Sequence, residues 1–364
     1  DQPIQFPFNP RTIDAIVVSH GHLGHCGLVP MLCKQGFTGR IYCTPRTQEL
    51  ATLSITEAAL ICQEQQGDSP VNAFYTVNDI PNCTSCFEPH DYYRPIAVGD
   101  NLTLTFYNAG HVAGSAIVKL TDASNPQPSS LLYLADVGSQ ANDLRHPDIL
   151  NGRYETIIVS ALDKPQDSWQ ANRERMAMII NDACQKSGNI LFSIFSIDQR
   201  QKLLAALNEL TDNRQIPLLM IFLDTPAAEE SQVYLSAGHT DTETYPLLKL
   251  SDPQGKSKCL DNITGTVIII AGMQHQTFGR MVEHFQTNLP NPHSAIVFVG
   301  NQLEGTPYRR IQQGDKVVRL NGNDCPVAAA IYTLYDPDLH LDRQAFTAWR
   351  SSLTSSPHLI ELAH

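Results

Sequence analysis

From about Trp169 onward the chain alternates short apolar runs with helix-like segments, and this alternation constrains the fold more than any other feature. Helix 171–186 leads to strand 190–195, and helix 199–210 leads to strand 218–223. After a Gly/Asp/Thr/Ser-rich stretch near 237–264 come strand 267–270, helix 278–287 and strand 295–299. Strands separated by helix-length segments predict a mainly parallel sheet flanked by helices. The first half reads differently. Strand 13–19 is followed by a short helix 28–34 that Gly36 can end, strand 41–44 and a longer helix 48–65. Runs 102–107, 115–120, 131–135 and 156–159 then predict successive strands with polar connections. The tail carries helix 343–352 and strand 359–362, and the sequence shows no internal repeat and no low-complexity tract.

With 364 residues the chain can build two domains and a large core. Hydrophobic residues at 42% and charged residues at 17% are ordinary globular composition. No apolar run approaches a membrane span and no leader pattern is visible, so no membrane partner is expected. A net charge of −12 argues against nucleic-acid binding through a broad basic face, but leaves a local basic cleft or a metal-centred site open. Nine irregularly spaced cysteines do not make a disulfide framework. They point to a reducing, cytoplasmic setting, or a nuclear one in a eukaryote. The CxxC at Cys83-Thr84-Ser85-Cys86, near His90, has no second pair to complete a structural zinc site. It reads as a polar loop with two free thiols.

The strongest chemical signal is Ser19-His20-Gly21-His22-Leu23-Gly24-His25, directly after a buried strand. Loops at strand ends are where α/β proteins place their sites. A lone histidine is ordinarily a surface or satisfied core residue. Three within six residues at a strand end point to a metal, because neutral imidazole is a first-choice ligand for zinc and related ions.

This segment resembles the HxHxDH signature of the metallo-β-lactamase superfamily. The match continues into Cys26-Gly27-Leu28-Val29-Pro30, typical of the branch that acts on nucleic acids. Gly110-His111-Val112-Ala113-Gly114-Ser115 resembles the next histidine motif. Leu132-Tyr133-Leu134-Ala135-Asp136-Val137-Gly138 resembles the strand that ends in the bridging aspartate. Further on, Ile270-Ala271-Gly272-Met273, the block from Asn291 to Thr306, Leu339-His340-Leu341-Asp342-Arg343-Gln344 and the final Leu359–His364 resemble successive motifs of the β-CASP branch. The resemblance spans essentially the whole chain. It implies a four-layer αββα metallo-β-lactamase fold with an inserted parallel-sheet α/β β-CASP domain. Residues 1–167 would be the first part of the core, 168–320 the insertion and 321–364 the return to the core. It also implies that His20, His22 and His111 hold one zinc, that His25 and His364 help hold a second, and that Asp136 bridges them. His340 would sit against the scissile phosphate as the acid for the leaving oxygen. Ser115, Gly305 and Thr306 would contact substrate phosphates.

Several residues depart from the pattern. Gly24 stands where the family has an aspartate that ligates the second metal and orients the attacking water. Ser160 replaces an acidic residue, and Asp338-Leu339 replace the small residues ahead of His340. One well-held zinc, a doubtful second and weakened activity are therefore expected. The family also carries strands ahead of the His20 loop, so further sequence or a partner that supplies them is expected. The function implied is a metal-dependent ribonuclease, endo- or 5′-exonucleolytic, acting on RNA with DNA as the alternative. The competing reading is a catalytically silent scaffold for an active paralogue. A homodimer is a further arrangement the sequence leaves open.

Overall fold

The computed structural model describes residues 6–66, 75–138, 147–148, 150–160, 169–194, 197–224, 247–249, 265–271, 280–302, 305–334, 341 and 343–362. The chain divides into two compact units: Asp1–Gln166 with Asp338–His364, and Asp167–Pro337.

The first unit begins with β1 (Ala15–Val17), α1 (Leu23–Cys26), α2 (Val29–Lys34), β2 (Arg40–Cys43), α3 (Pro45–Gln66), α4 (Ile80–Thr84) and β3 (Phe87–Pro89). The order β1-β2-β3 forms a parallel three-stranded sheet. Pro30 sits in the first turn of α2, where its missing N–H costs nothing. Gly36, at φ +103°, supplies the left-handed backbone just past the end of that helix. Next come β4 (Ile96–Ala97), β5 (Leu102–Asn108), β6 (Ala116–Asp122), β7 (Ser129–Leu134) and β8 (Thr156–Val159). Together with a strand from the chain's end they form a six-stranded mixed sheet.

The second unit contains α5 (Trp169–Gln185), β9 (Ile190–Ser193), α6 (Ile197–Asp212), β10 (Met220–Asp224), β11 (Leu247–Lys249), β12 (Val267–Ala271), α7 (Arg280–Asn288), β13 (Ala295–Val299), α8 (Pro307–Gln312), the hairpin β14 (Val317–Leu320) and β15 (Asn323–Pro326), and β16 (Ala330–Leu334). Its six strands lie in the order β11-β10-β12-β9-β13-β16, all parallel. The chain then returns to the first unit with α9 (Arg343–Ser351) and β17 (His358–Glu361), which pairs in parallel with β8.

Three clusters of buried side chains define the layers of the first unit. Val18, Met31, Phe37, Ile41, Ile55 and Cys83 pack α1–α4 onto the three-stranded sheet. Tyr42, Ile96, Leu104, Phe106 and Val118 lie between the two sheets. Leu132, Leu134, Ile157, Val159 and Phe346 pack α9 onto the outer face of the six-stranded sheet. Helix, sheet, sheet and helix give the expected αββα order. In the second unit both sheet faces are covered. Ile190, Phe192, Ile268 and Ile270 pack on α5 and α6, while Leu191, Ile269, Ile296 and Phe298 face α7, α8 and the hairpin. Neighbours along one strand thus enter opposite cores, which is why these strands read as unbroken apolar runs.

The sequence reading returned the chain to the first domain at 321. The structure keeps 321–337 with the second unit. The reason is β16, whose Ala330–Leu334 pairs register for register with Ala295–Val299 of β13.

Phe192 is fully buried at the centre of the second unit. Phe192→Ala should lower the unfolding free energy of that unit by about 3–5 kcal/mol. Met178→Ala, at a side chain 61% exposed, should stay within about 0.5 kcal/mol. Denaturant titration of both variants checks the contrast.

Candidate metal centre

Three loops at the ends of β1, β5 and β7 converge. The first leaves β1 through Val18, whose N–H still donates to Tyr42 O. Gly21 then passes α3 so closely that a Cβ there would lie 2.5 Å from Leu50 Cβ. Its carbonyl accepts a 2.7 Å bond from Ser54 Oγ. His22 starts α1, with the N–H groups of His25 and Cys26 both donating to its carbonyl. This short helix, not read from the sequence, turns His25 back toward His20, with ring centroids 4.2 Å apart.

The second loop carries His111 between Gly110, at φ +66°, and Gly114, at φ +81°. Thr44 and Thr47 hydroxyls both donate to Gly114 O, at 2.7 and 2.8 Å. Ser115 Oγ accepts from the N–H groups of His111 and Val112, at 3.1 and 3.2 Å. Ser115, expected as a phosphate contact, is buried and braces the histidine loop. The third loop carries Asp136. Gly138 N–H donates to Ala109 O at 2.8 Å, and a Cβ at 138 would lie 2.1 Å from Gly110 O. The second and third loops therefore interlock through two glycines.

His20, His22, His111 and Asp136 each bring one ligand atom into a group whose members all lie within 4.8 Å of one another. Asp136 Oδ2 lies 3.4 Å from His20 Nε2, 3.3 Å from His25 Nε2 and 4.0 Å from His111 Nε2. Its other oxygen, Oδ1, accepts a 2.8 Å bond from Ser160 Oγ. Ser160, first noted only as a departure, thus fixes the carboxylate. Three imidazoles and one carboxylate are a chemically sound donor set for a tetrahedral cation such as zinc. Burial drives the His20 imidazole from 6.5 down to about 3, against the pull of the Asp136 carboxylate. A ring held neutral keeps its lone pair for a cation.

Of the other expected site residues, His340 and His364 lie outside the described residues, as do Gly272 and Met273. Gly305 and Thr306 belong to the second unit, where Thr306 Oγ1 caps α8 by accepting from Arg309 N–H at 3.2 Å. A Cβ built on Gly24 meets nothing within 4 Å. The missing aspartate is therefore not excluded by crowding. The CxxC is not a polar loop, since Cys83 lies in α4 and is fully buried.

Residues 8–158 match the metallo-beta-lactamase superfamily domain, and residues 200–311 match the Beta-Casp domain. The chain belongs to the metallo-β-lactamase superfamily, in its β-CASP branch. It is 28% identical over 383 residues to the transcription termination factor FttA of Methanocaldococcus jannaschii, a match covering 98% of this chain and 59% of that protein. It is 25% identical over 361 residues to Ribonuclease TTHA0252 of Thermus thermophilus, covering 94% of this chain and 80% of that one. The chain thus spans about six-tenths of the termination factor's length. No helix among the described residues is long and apolar enough to cross a membrane.

Two outcomes follow from this geometry. Gly138→Ala forces apart the loops that carry His111 and Asp136, so it should cost at least about 1–3 kcal/mol and lower bound metal per chain. Calorimetry and metal analysis on one preparation check both. The second concerns acid. His20 titrates lower in the folded chain than in the unfolded one, so between pH 6.5 and about 3 the unfolded chain binds the extra proton. Stability should fall as pH falls through that window, by up to about 1.4 kcal/mol per pH unit from this group. In chelator-treated protein, His20→Gln should flatten the slope.

Proposed function

We propose that this chain is a metal-dependent hydrolase of nucleic-acid phosphodiester bonds, with RNA as substrate and zinc as the preferred ion. The observation that carries this reading is the convergence of His20, His22, His111 and Asp136 on one point. The names of the relatives support it: one is a ribonuclease and the other a transcription termination factor. Zinc bound by these residues would supply Lewis acidity and a water acidic enough to attack at neutral pH.

The residues themselves do the positioning. His20 and His111 are buried and rigidly framed, while His22 is partly open toward solvent. Asp136 is clamped by Ser160 through Oδ1, which leaves Oδ2 for a cation and for His25. His25 faces the same oxygen from the opening turn of α1. Gly24, beside it, offers no carboxylate to hold a second ion or to orient water. We therefore assign one tightly held ion and slow turnover. A net charge of −12 further implies that substrate contact is confined to the site and its immediate rim.

The test is metal content by plasma mass spectrometry, with RNA cleavage, for the native chain and for Gly24→Asp. The native chain should hold about one zinc and cleave slowly. Gly24→Asp should hold about two and cleave on the order of 10²-fold faster or more, the usual worth of a positioned base. Absence of metal from both chains would overturn the catalytic reading and leave a scaffold role.

A further inference from the structure

The candidate metal centre does not use the cysteines packed between α2, α4 and the three-stranded sheet. Cys33 lies near the end of α2, Cys83 lies in α4, and Cys86 follows directly before β3. All three are free thiols packed in or against one apolar cluster. A tight turn, with Cys86 N–H donating to Cys83 O at 3.1 Å, keeps the CxxC pair together. Ile41 N–H donates to Cys86 O at 2.8 Å and ties the pair to β2. Helix α2 packs against α4, and the Lys34–Asp79 ion pair at 3.2 Å holds the ends of that packing together. Cys33 and Cys83 are buried in this one cluster, and Cys86 packs against it.

We propose that these residues form a thiol relay, in which Cys33 makes a reversible disulfide with the Cys83/Cys86 pair when a low-molecular-weight disulfide is present. Three features support it. Cys83 and Cys33 are buried, but Cys86 is only half-buried, so an outside disulfide meets Cys86 first. S–H groups of Cys83 and then Cys86 pull the Cys33 thiol below its ordinary value, while Cys83 and Cys86 are pushed up. Cys33 is thus the sulfur best kept as thiolate for the second exchange, the one that closes the bridge. Finally, α2 and α4 pack against each other and bury Cys33 and Cys83 in the same core.

The chemistry balances. The Cys86 thiolate attacks one sulfur of the small disulfide, and the first small thiol leaves with the proton Cys86 gave up. Cys33 then attacks Cys86 Sγ, and the second small thiol leaves with the proton from Cys33. Two protein thiols lose two electrons and two protons, and the small disulfide gains both. Cys83 can replace Cys86 in the bridge by the same exchange.

The test uses the full chain and oxidised glutathione. After denaturation, free thiols are alkylated and counted by mass spectrometry, and linked peptides are mapped. Two of the nine cysteines should become protected, with the peptide holding Cys33 joined to the one holding Cys83 and Cys86. Cys33→Ser and the double change Cys83→Ser with Cys86→Ser should each abolish the bridge, while Cys43→Ser should keep it. Alkylation of all nine thiols after oxidation would overturn the proposal. So would a bridge that survives in Cys33→Ser, since it would then run between other cysteines. If Cys33→Ser does not fold, the linked peptide of the unaltered chain decides the question.

Discussion

Asp136 carries a carboxylate to a place where only 5% of the residue remains exposed. A buried carboxylate is costly unless positive charge or hydrogen-bond donors meet it. Ser160 satisfies one oxygen, and the other faces His20, His25 and His111. Burial holds His20 neutral, so this ring does not supply the compensating charge by taking a proton. A bound cation is the natural complement to this arrangement. The loops that frame it are shaped accordingly, with Gly21 against α3 and Gly138 against Gly110, where any Cβ would collide.

The two units solve their packing problems differently. The first stacks two sheets face to face, so strands such as β5 alternate buried and half-exposed side chains. The second places one parallel sheet between helical layers, and β9, β12 and β13 are buried at every residue. The loops of the candidate metal centre emerge at strand ends, where the backbone is released from its ladder but still anchored on one side. The thiol cluster belongs to the same unit but to its helical layer, where small sulfur side chains fill the gaps between α2, α4 and the sheet.

The apolar runs at 190–193, 267–271 and 295–299 were legible as strands because burial on both faces leaves no polar alternation to blur them. The hairpin 317–326 was not legible, since β14 alternates exposed and buried residues and β15 reads Asn-Asp-Cys-Pro. Strand β16 was also missed, and with it the true end of the second unit, because its residues are mostly half-buried. The CxxC was misread because four residues do not reveal that a third cysteine, fifty positions earlier, packs against them.

The sequence by itself singled out the candidate ligands His20, His22, His25, His111 and Asp136, and the structure brings His20, His22, His111 and Asp136 together. It also determined what is missing, a carboxylate at 24. Tertiary structure alone decided that Ser160 braces Asp136 and that Cys33 packs in one core with the CxxC. The physical reason is distance along the chain. Spacing within a loop is written locally, whereas contacts between residues 24 to 50 positions apart exist only after the sheets and helices have packed.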